Sequence, residues 1–263
     1  SWLFLEEMDT QDRYFSSKGH DAPALYSVLI GMGMLDFDML HKLRRIGGLP
    51  GHPDIGTPHM VTNTGSLGMG ISKAKGMVLA NRLQNRTGRV FVLTGDGELQ
   101  EGQFWESLIS AVNLRMGEIT VIVDHNKIQS DTWVSETSGL GDLESKFEAF
   151  GMRVHRCNGN DMGTLSTELV KIYKADQPQV LIADTLKGAG VSFMEHPAVM
   201  QAENLYNYHS GAPTNSDYSE AVRELLGRLE RRLADLNEKM VSVESVSVEE
   251  TPSTPVVQRL IPA

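Results

Sequence analysis

Residues 89–102 read RVFVLTGDGELQEG, and this stretch decides the fold. Residues 89–94 (RVFVLT) form a short apolar run without polar alternation, the pattern of a strand covered on both faces. The run stops at Gly95-Asp96-Gly97, where glycines permit a sharp change of direction. A helix follows over 101–116, with Phe104, Trp105, Leu108, Ile109, Val112 and Leu114 as its apolar residues. Residues 119–124 (ITVIVD) then read as the next strand. A strand–helix–strand unit of this length crosses over and brings both strand ends to one edge of a parallel sheet.

Outward from this unit the same texture continues. Residues 68–83 read as a helix rich in small residues, 161–175 as a helix with Leu165, Leu169 and Ile172 on one face, and 180–185 (VLIADT) as a third strand. The fold class is therefore α/β, with a mostly parallel sheet flanked by helices. Residues 218–240 read as a charged helix carrying Leu225, Leu229, Leu233 and Leu236. Residues 241–263 lack aromatics, are rich in Ser, Glu, Val, Thr and Pro, and read as a flexible tail or linker. The expected organisation is one domain over 1–217, a helix over 218–240 and the tail.

Composition narrows the function classes. The chain has 263 residues, 40% of them hydrophobic and 22% charged, which suits a globular chain and excludes collagen-like or disordered ones. Lys and Arg number 24 against 34 Asp and Glu, a net charge of −10, and an acidic chain without a basic cluster is a poor nucleic-acid binder. No apolar run approaches the ~20 residues of a membrane span. Cys157 is the single cysteine, so no intrachain disulfide or multi-cysteine metal site can form. It falls in a strand-like stretch and reads as packed. Residues 2–5 are too short for a secretory core, and the expected location is cytoplasmic.

Two features carry chemistry. In open α/β sheets ligands bind at the carboxyl ends of strands, where Gly95, Asp96 and Gly97 lie. The second strand ends in Asp124-His125-Asn126-Lys127-Ile128, with Asn126 30 positions after Asp96. The Asp96 carboxylate, the Asn126 side-chain oxygen and the Ile128 carbonyl would supply three hard oxygen donors. Two oxygens of a diphosphate and a water would complete the octahedron that Mg²⁺ requires. Metal ligands are thus assigned to Asp96, Asn126 and Ile128, with Ca²⁺ or Mn²⁺ as substitutes.

Gly-Asp-Gly followed some thirty residues later by an asparagine resembles the thiamine diphosphate signature. The flanking stretches resemble the transketolase family: 12–20 (DRYFSSKGH), 50–53 (PGHP), 64–70 (TGSLGMG), 95–102 (GDGELQEG), 124–128 (DHNKI), 187–195 (KGAGVSFME) and 209–213 (HSGAP). They appear in the family's order and cover roughly residues 12–213. The texture is most like the N-terminal subunits of split transketolases.

The resemblance implies a thiamine diphosphate-binding fold and a two-carbon ketol transfer from a ketose, or its phosphate, to an aldose or its phosphate. It places Gly65, Leu67, Gly95, Asp96, Gly97, Glu98, Asn126, Ile128 and Lys187 at the cofactor. It gives catalytic positions to His20, His52 and His209, and to Glu101 at an interface between paired sites. Histidine suits proton movement to and from sugar hydroxyls because it titrates near neutrality. The family's activating glutamate sits in a separate pyrimidine-binding domain. The resemblance therefore also implies a C-terminal partner subunit, in a heterotetramer with two of each. Arg44, Arg45 and Lys187 are candidates for a substrate phosphate.

Three departures from the family pattern stand out. The family's earlier Gly-His-Pro has no counterpart in this sequence. Its Asp-Gly after Asn-Lys-Ile is replaced by Gln129-Ser130-Asp131, and His-Gly-Ala-Pro has become His209-Ser210-Gly211-Ala212-Pro213. Alternative readings are another thiamine diphosphate enzyme, such as a 2-oxo acid dehydrogenase component or a deoxyxylulose phosphate synthase relative, or a non-catalytic homologue.

Overall fold

A computed structural model describes residues 1–172, 176–203 and 205–240. Its strands are β1 (Arg13–Ser16), β2 (Val90–Gly95), β3 (Ile119–His125), β4 (Ile128–Gln129), β5 (Thr132–Trp133), β6 (Arg153–Asn158) and β7 (Gln179–Asp184). Its α-helices are α1 (Ala22–Gly31), α2 (Gly70–Leu83), α3 (Gly102–Asn113), α4 (Val134–Ser138), α5 (Leu143–Ala149), α6 (Met162–Lys171), α7 (His196–Glu203) and α8 (Asn215–Asp235). Residues 1–213 form one compact unit, and α8 belongs to a second unit that begins at Thr214.

The first unit is built on a five-stranded, all-parallel sheet of order β1-β2-β3-β7-β6. Successive strand residues point to opposite faces. Val90, Val92, Val121 and Val123 pack with Ile71 and Val78 of α2, Phe104 and Leu108 of α3, and Phe147 of α5. Phe91, Ile122 and Leu181 face the other way, towards Leu169 and Ile172. Both faces are covered, which is why the strands read as continuous apolar runs.

Register fixes the functional edge. Gly95 pairs with Asp124, and Asp124 with Ala183. The carboxyl ends of the three central strands are therefore level, and Asp96, Asn126 and Lys187 follow them in turn. Past β3 the chain makes a small antiparallel hairpin, β4–β5.

Several elements differ from the sequence expectation. Strand β1 has no clear sequence signal, since RYFS is short and half polar; it is recruited by pairing with β2. Helix α6 ends at Lys171, and residues 173–175 lie outside the described residues. Helix α8 begins at Asn215 rather than 218, because the Thr214 hydroxyl accepts a hydrogen bond from the Asp217 N–H and caps it. It ends at Asp235 rather than 240, where Asn237 turns to a φ of 57°. The expected tail, 241–263, lies outside the described residues. Cys157 is packed in β6 as expected, and burial pushes its thiol pKa up. Among the described residues no helix is long and apolar enough to cross a membrane.

Candidate active site

A cleft of about 670 Å³ opens at the carboxyl ends of β2, β3 and β7. Asp96 lies at its base, 2% exposed. One carboxylate oxygen accepts the Gly97 N–H at 2.7 Å and the other the Lys127 N–H at 2.5 Å. Burial pushes its pKa up, although both N–H groups and His125 oppose this. Among the described residues no cationic side chain forms an ion pair with Asp96. A buried carboxylate facing a cleft without a directly paired cationic side chain favours a bound cation.

Asn126 supplies the neighbouring donor. Its amide nitrogen donates to Asp124 at 3.1 Å, and its Oδ1 accepts the Ile128 N–H at 3.1 Å. Asp124 is held in turn by Lys18 Nζ at 2.7 Å and by the Thr185 hydroxyl at 2.5 Å. The amide orientation of Asn126 is thus set by a partly buried ion pair. Among the described residues no three His, Cys, Asp or Glu side chains cluster as metal ligands. The donors here are one carboxylate, one amide oxygen and one peptide carbonyl, a hard-oxygen set that fits Mg²⁺ or a similar cation.

Glu98 closes the floor. Its carboxylate accepts the Ser17 hydroxyl, the Gly68 N–H at 2.8 Å and the Thr94 hydroxyl at 2.6 Å. This ties the 64–70 segment to Gly-Asp-Gly. Glu98 lines the cleft, but these protein groups occupy both of its oxygens.

Lys187 enters from the loop after β7. Its Nζ lies 2.8 Å from the Ser130 carbonyl, 3.5 Å from the Ile128 carbonyl and 3.1 Å from His209 Nδ1, and it stacks over Tyr206. Burial pulls its pKa down to about 8. The His209 ring contacts that of His20, with centroids 5.5 Å apart. Burial and nearby lysines lower both imidazole pKa values, favouring the neutral form that can accept a proton.

The cleft therefore gathers His20, Leu67, Gly95, Asp96, Gly97, Glu98, Asn126, Ile128, Lys187 and His209. It does not gather Gly65, His52 or Glu101. Gly65 adopts a φ of +99°, and a Cβ there would come within 3.2 Å of the His52 ring, so these two form one packed pair beside the cleft. Glu101 packs against Gly68, where a Cβ would lie 2.7 Å from its own. Arg44 and Arg45 are not in the cleft wall. Sequence reasoning does not find Lys18, Asp124, Thr185 and Gln129 as site residues. Lys18 stands two residues before His20 in the SSKGH stretch, which is a usable signal.

A family model described as the thiamine diphosphate binding domain of transketolase matches residues 6–232. The chain belongs to the transketolase family. It is similar to one subunit of the apulose-4-phosphate transketolase of Actinobacillus succinogenes, 36% identical over 217 residues that cover 82% of this chain and 76% of that protein. It is also similar to the 6-deoxy-6-sulfo-D-fructose transketolase subunit SqwG of a Clostridium species, 36% identical over 188 residues, 70% of this chain and 68% of that one. The crystal structure of transketolase from Campylobacter jejuni superposes with a TM-score of 0.65 at 26% identity, covering 85% of this chain and 39% of that chain. The transketolase resemblance and the α/β thiamine diphosphate-binding fold drawn from residues 12–213 thus hold. This transketolase-family chain corresponds to about two fifths of the solved enzyme's length.

Proposed function

We propose that this chain is the N-terminal subunit of a split transketolase, transferring a two-carbon ketol unit between sugars. One observation carries the reading. Asp96 is a buried carboxylate without a cationic partner among the described residues, set beside Asn126 Oδ1 and the Ile128 carbonyl at the aligned strand ends. Asp96, Asn126 and Ile128 would hold Mg²⁺, and Gly95 and Gly97 would let a diphosphate approach the backbone. Leu67, 38% exposed, offers an apolar surface for a ring, and Gly65 flanks it.

Thiamine diphosphate, when bound, supplies the carbon nucleophile that makes ketose cleavage possible. The chain's own residues would orient the groups and move protons. His20 and His209, in ring contact at the cleft wall, would move protons at the sugar hydroxyls. Lys187 would pair with anionic groups of the cofactor or substrate, and His52 would act from the cleft rim. Glu101 would face a paired site across an interface.

Two relatives are named as subunits of transketolases, which supports a C-terminal partner that brings the pyrimidine-binding domain and its activating glutamate. A heterotetramer with two copies of each chain, a cytoplasmic location and a division into 1–217, 218–240 and 241–263 complete the proposal. The relatives' names give two different sugars, an apulose phosphate and a sulfonated fructose, so a ketose is the shared substrate class.

Calorimetric titration of thiamine diphosphate with Mg²⁺ tests the reading, first into the chain alone and then into its mixture with the C-terminal subunit. Tight binding in the mixture alone, followed by ketol transfer, is expected. No metal-dependent binding in either case would overturn the enzyme reading. Turnover by the chain alone would overturn the partner requirement.

A further inference from the structure

The loop that brings Lys187 to the cleft is closed ten residues on by His196, at the start of α7. The two residues exchange a pair of hydrogen bonds. The His196 N–H donates to the Lys187 carbonyl at 2.9 Å, and the Lys187 N–H donates to His196 Nδ1 at 3.1 Å. A peptide N–H only donates, and the backbone fixes its direction. The ring must therefore present an unprotonated Nδ1 to it, which sets the ring orientation and leaves the proton of the neutral imidazole on Nε2. Burial and the Lys127 and Lys187 charges push the His196 pKa down against the pull of Glu195, which keeps the ring a neutral acceptor. Its surroundings hold it still. His196 is 5% exposed, and its ring meets Trp133 edge-on, with centroids 5.5 Å apart. Between the two ends the loop folds tightly on itself: Gly188 has a φ of +82°, and a Cβ there would strike the Met194 carbonyl and the Tyr206 hydroxyl.

His196 does not line the cleft, yet it touches both parts of the proposed diphosphate site. It holds the Lys187 peptide directly, and it packs on Trp133, which pairs with Ile128 across the β4–β5 hairpin. We propose that His196 is a positioning residue for Lys187, its Nδ1 anchoring the Lys187 peptide so that the ammonium is aimed at a bound diphosphate. This role rests on the proposed cofactor site. Lys187 Nζ lies 3.5 Å from the Ile128 carbonyl, a proposed donor to the cation that a diphosphate would share, so the diphosphate is the anion within its reach. A lysine side chain loses much rotamer freedom when it is fixed on a ligand. A fixed peptide, the Ser130 carbonyl and the Tyr206 ring already restrict Lys187, so less remains to be lost on binding.

The full chain assembled with its C-terminal subunit is titrated calorimetrically with thiamine diphosphate and Mg²⁺. His196→Leu removes the acceptor and should weaken binding about tenfold. His196→Asn should stay within about threefold of the wild type, because its side-chain oxygen stands as many bonds from the backbone as Nδ1 does. His196→Gln, whose oxygen reaches instead to the place of Nε2, should behave like the leucine variant and replaces it if that variant does not fold. Lys187→Met is the reference. It should also weaken binding, and adding His196→Leu to it should cost no more than about a further twofold, since the anchor then has nothing to aim. Wild-type affinity in His196→Leu, an asparagine variant as weak as the leucine one, or full additivity with Lys187→Met would each overturn the positioning role. Undiminished binding by Lys187→Met would overturn Lys187 as the anion-binding group, and no binding by the wild-type assembly would overturn the cofactor site; the role of His196 falls with either.

Discussion

Lys18 Nζ lies 2.7 Å from a carboxylate oxygen of Asp124, joining the loop after edge strand β1 to the end of the central strand β3. The two residues are 106 positions apart in the chain. Burial works against both charges, yet each holds the other ionised: the Lys18 pKa is raised and the Asp124 pKa lowered. Because Asp124 also accepts from Asn126, the pair sets the orientation of a proposed metal ligand.

Breaking this pair should therefore act twice. Lys18→Met and Asp124→Asn should each lower stability by roughly 2–4 kcal/mol, since either leaves a largely buried charge without its partner. A double-mutant cycle by urea unfolding should show strong coupling between them. Asp124→Leu, which removes the acceptor outright, should also weaken cation binding, as Asn126 loses the group that orients it. Additive effects in the cycle would refute the coupling.

Gly97→Ala places a Cβ 2.8 Å from the Cβ of Gln129, which cannot swing away as a side-chain tip could. Overpacking of this kind costs about 1–3 kcal/mol. Gly95→Ala is the contrast, because its Cβ would meet Lys18 Cδ at 3.1 Å, part of a flexible side chain. Thermal melting should place Gly97→Ala well below Gly95→Ala. Reversal of that order would show that the β4–β5 hairpin yields freely.

Asp96→Asn separates cation binding from folding. The variant loses one of two N–H acceptor contacts but also sheds a buried charge, so ligand-free stability should stay within about 1 kcal/mol of the wild type. Metal-dependent binding of thiamine diphosphate should fall at least about a hundredfold, on the order expected for losing a charged ligand to the cation. A stable variant with unimpaired binding would remove Asp96 from the metal site.

Asp184 gives a pH signature. Partial burial would raise its pKa, but hydrogen bonds from Arg156 and His125 and the Arg156 charge hold it well below the usual carboxylate range. A carboxylate depressed in the folded state contributes stability above its unfolded pKa of about 4, and that stability is lost as pH falls towards the folded value. Urea midpoints should therefore drop as the pH falls below about 4. Asp184→Asn should be destabilised at neutral pH and show a shallower acid limb. Parallel acid limbs would mean that Arg156 and His125 contribute nothing through this residue.

Local chemistry makes much of the fold legible. Strands β2, β3 and β7 are apolar because both sheet faces are covered, and that pattern is visible without coordinates. Gly-Asp-Gly and Asp124–Asn126 mark the functional edge for a related reason, since residues that end parallel strands share one side of the sheet. Strand β1 escapes notice because an edge strand has little apolar signal and depends on its neighbour's hydrogen bonds. The ends of α8 escape because a single capping hydroxyl at Thr214 and one left-handed residue at Asn237 decide them.

The sequence by itself determined which residue types stand at the strand ends and hence the class of chemistry. Only the tertiary structure decided which partners those residues meet. It turned Glu98 inward onto Ser17, Gly68 and Thr94, gave Asp124 to Lys18, left Asp96 without a direct ion-pair partner among the described residues and sealed the Gln129 carbonyl. Those outcomes depend on register and packing between segments as far apart as Lys18 and Asp124. Hydrogen bonds and ion pairs act over a few ångströms, so no local pattern encodes which distant group will come within reach.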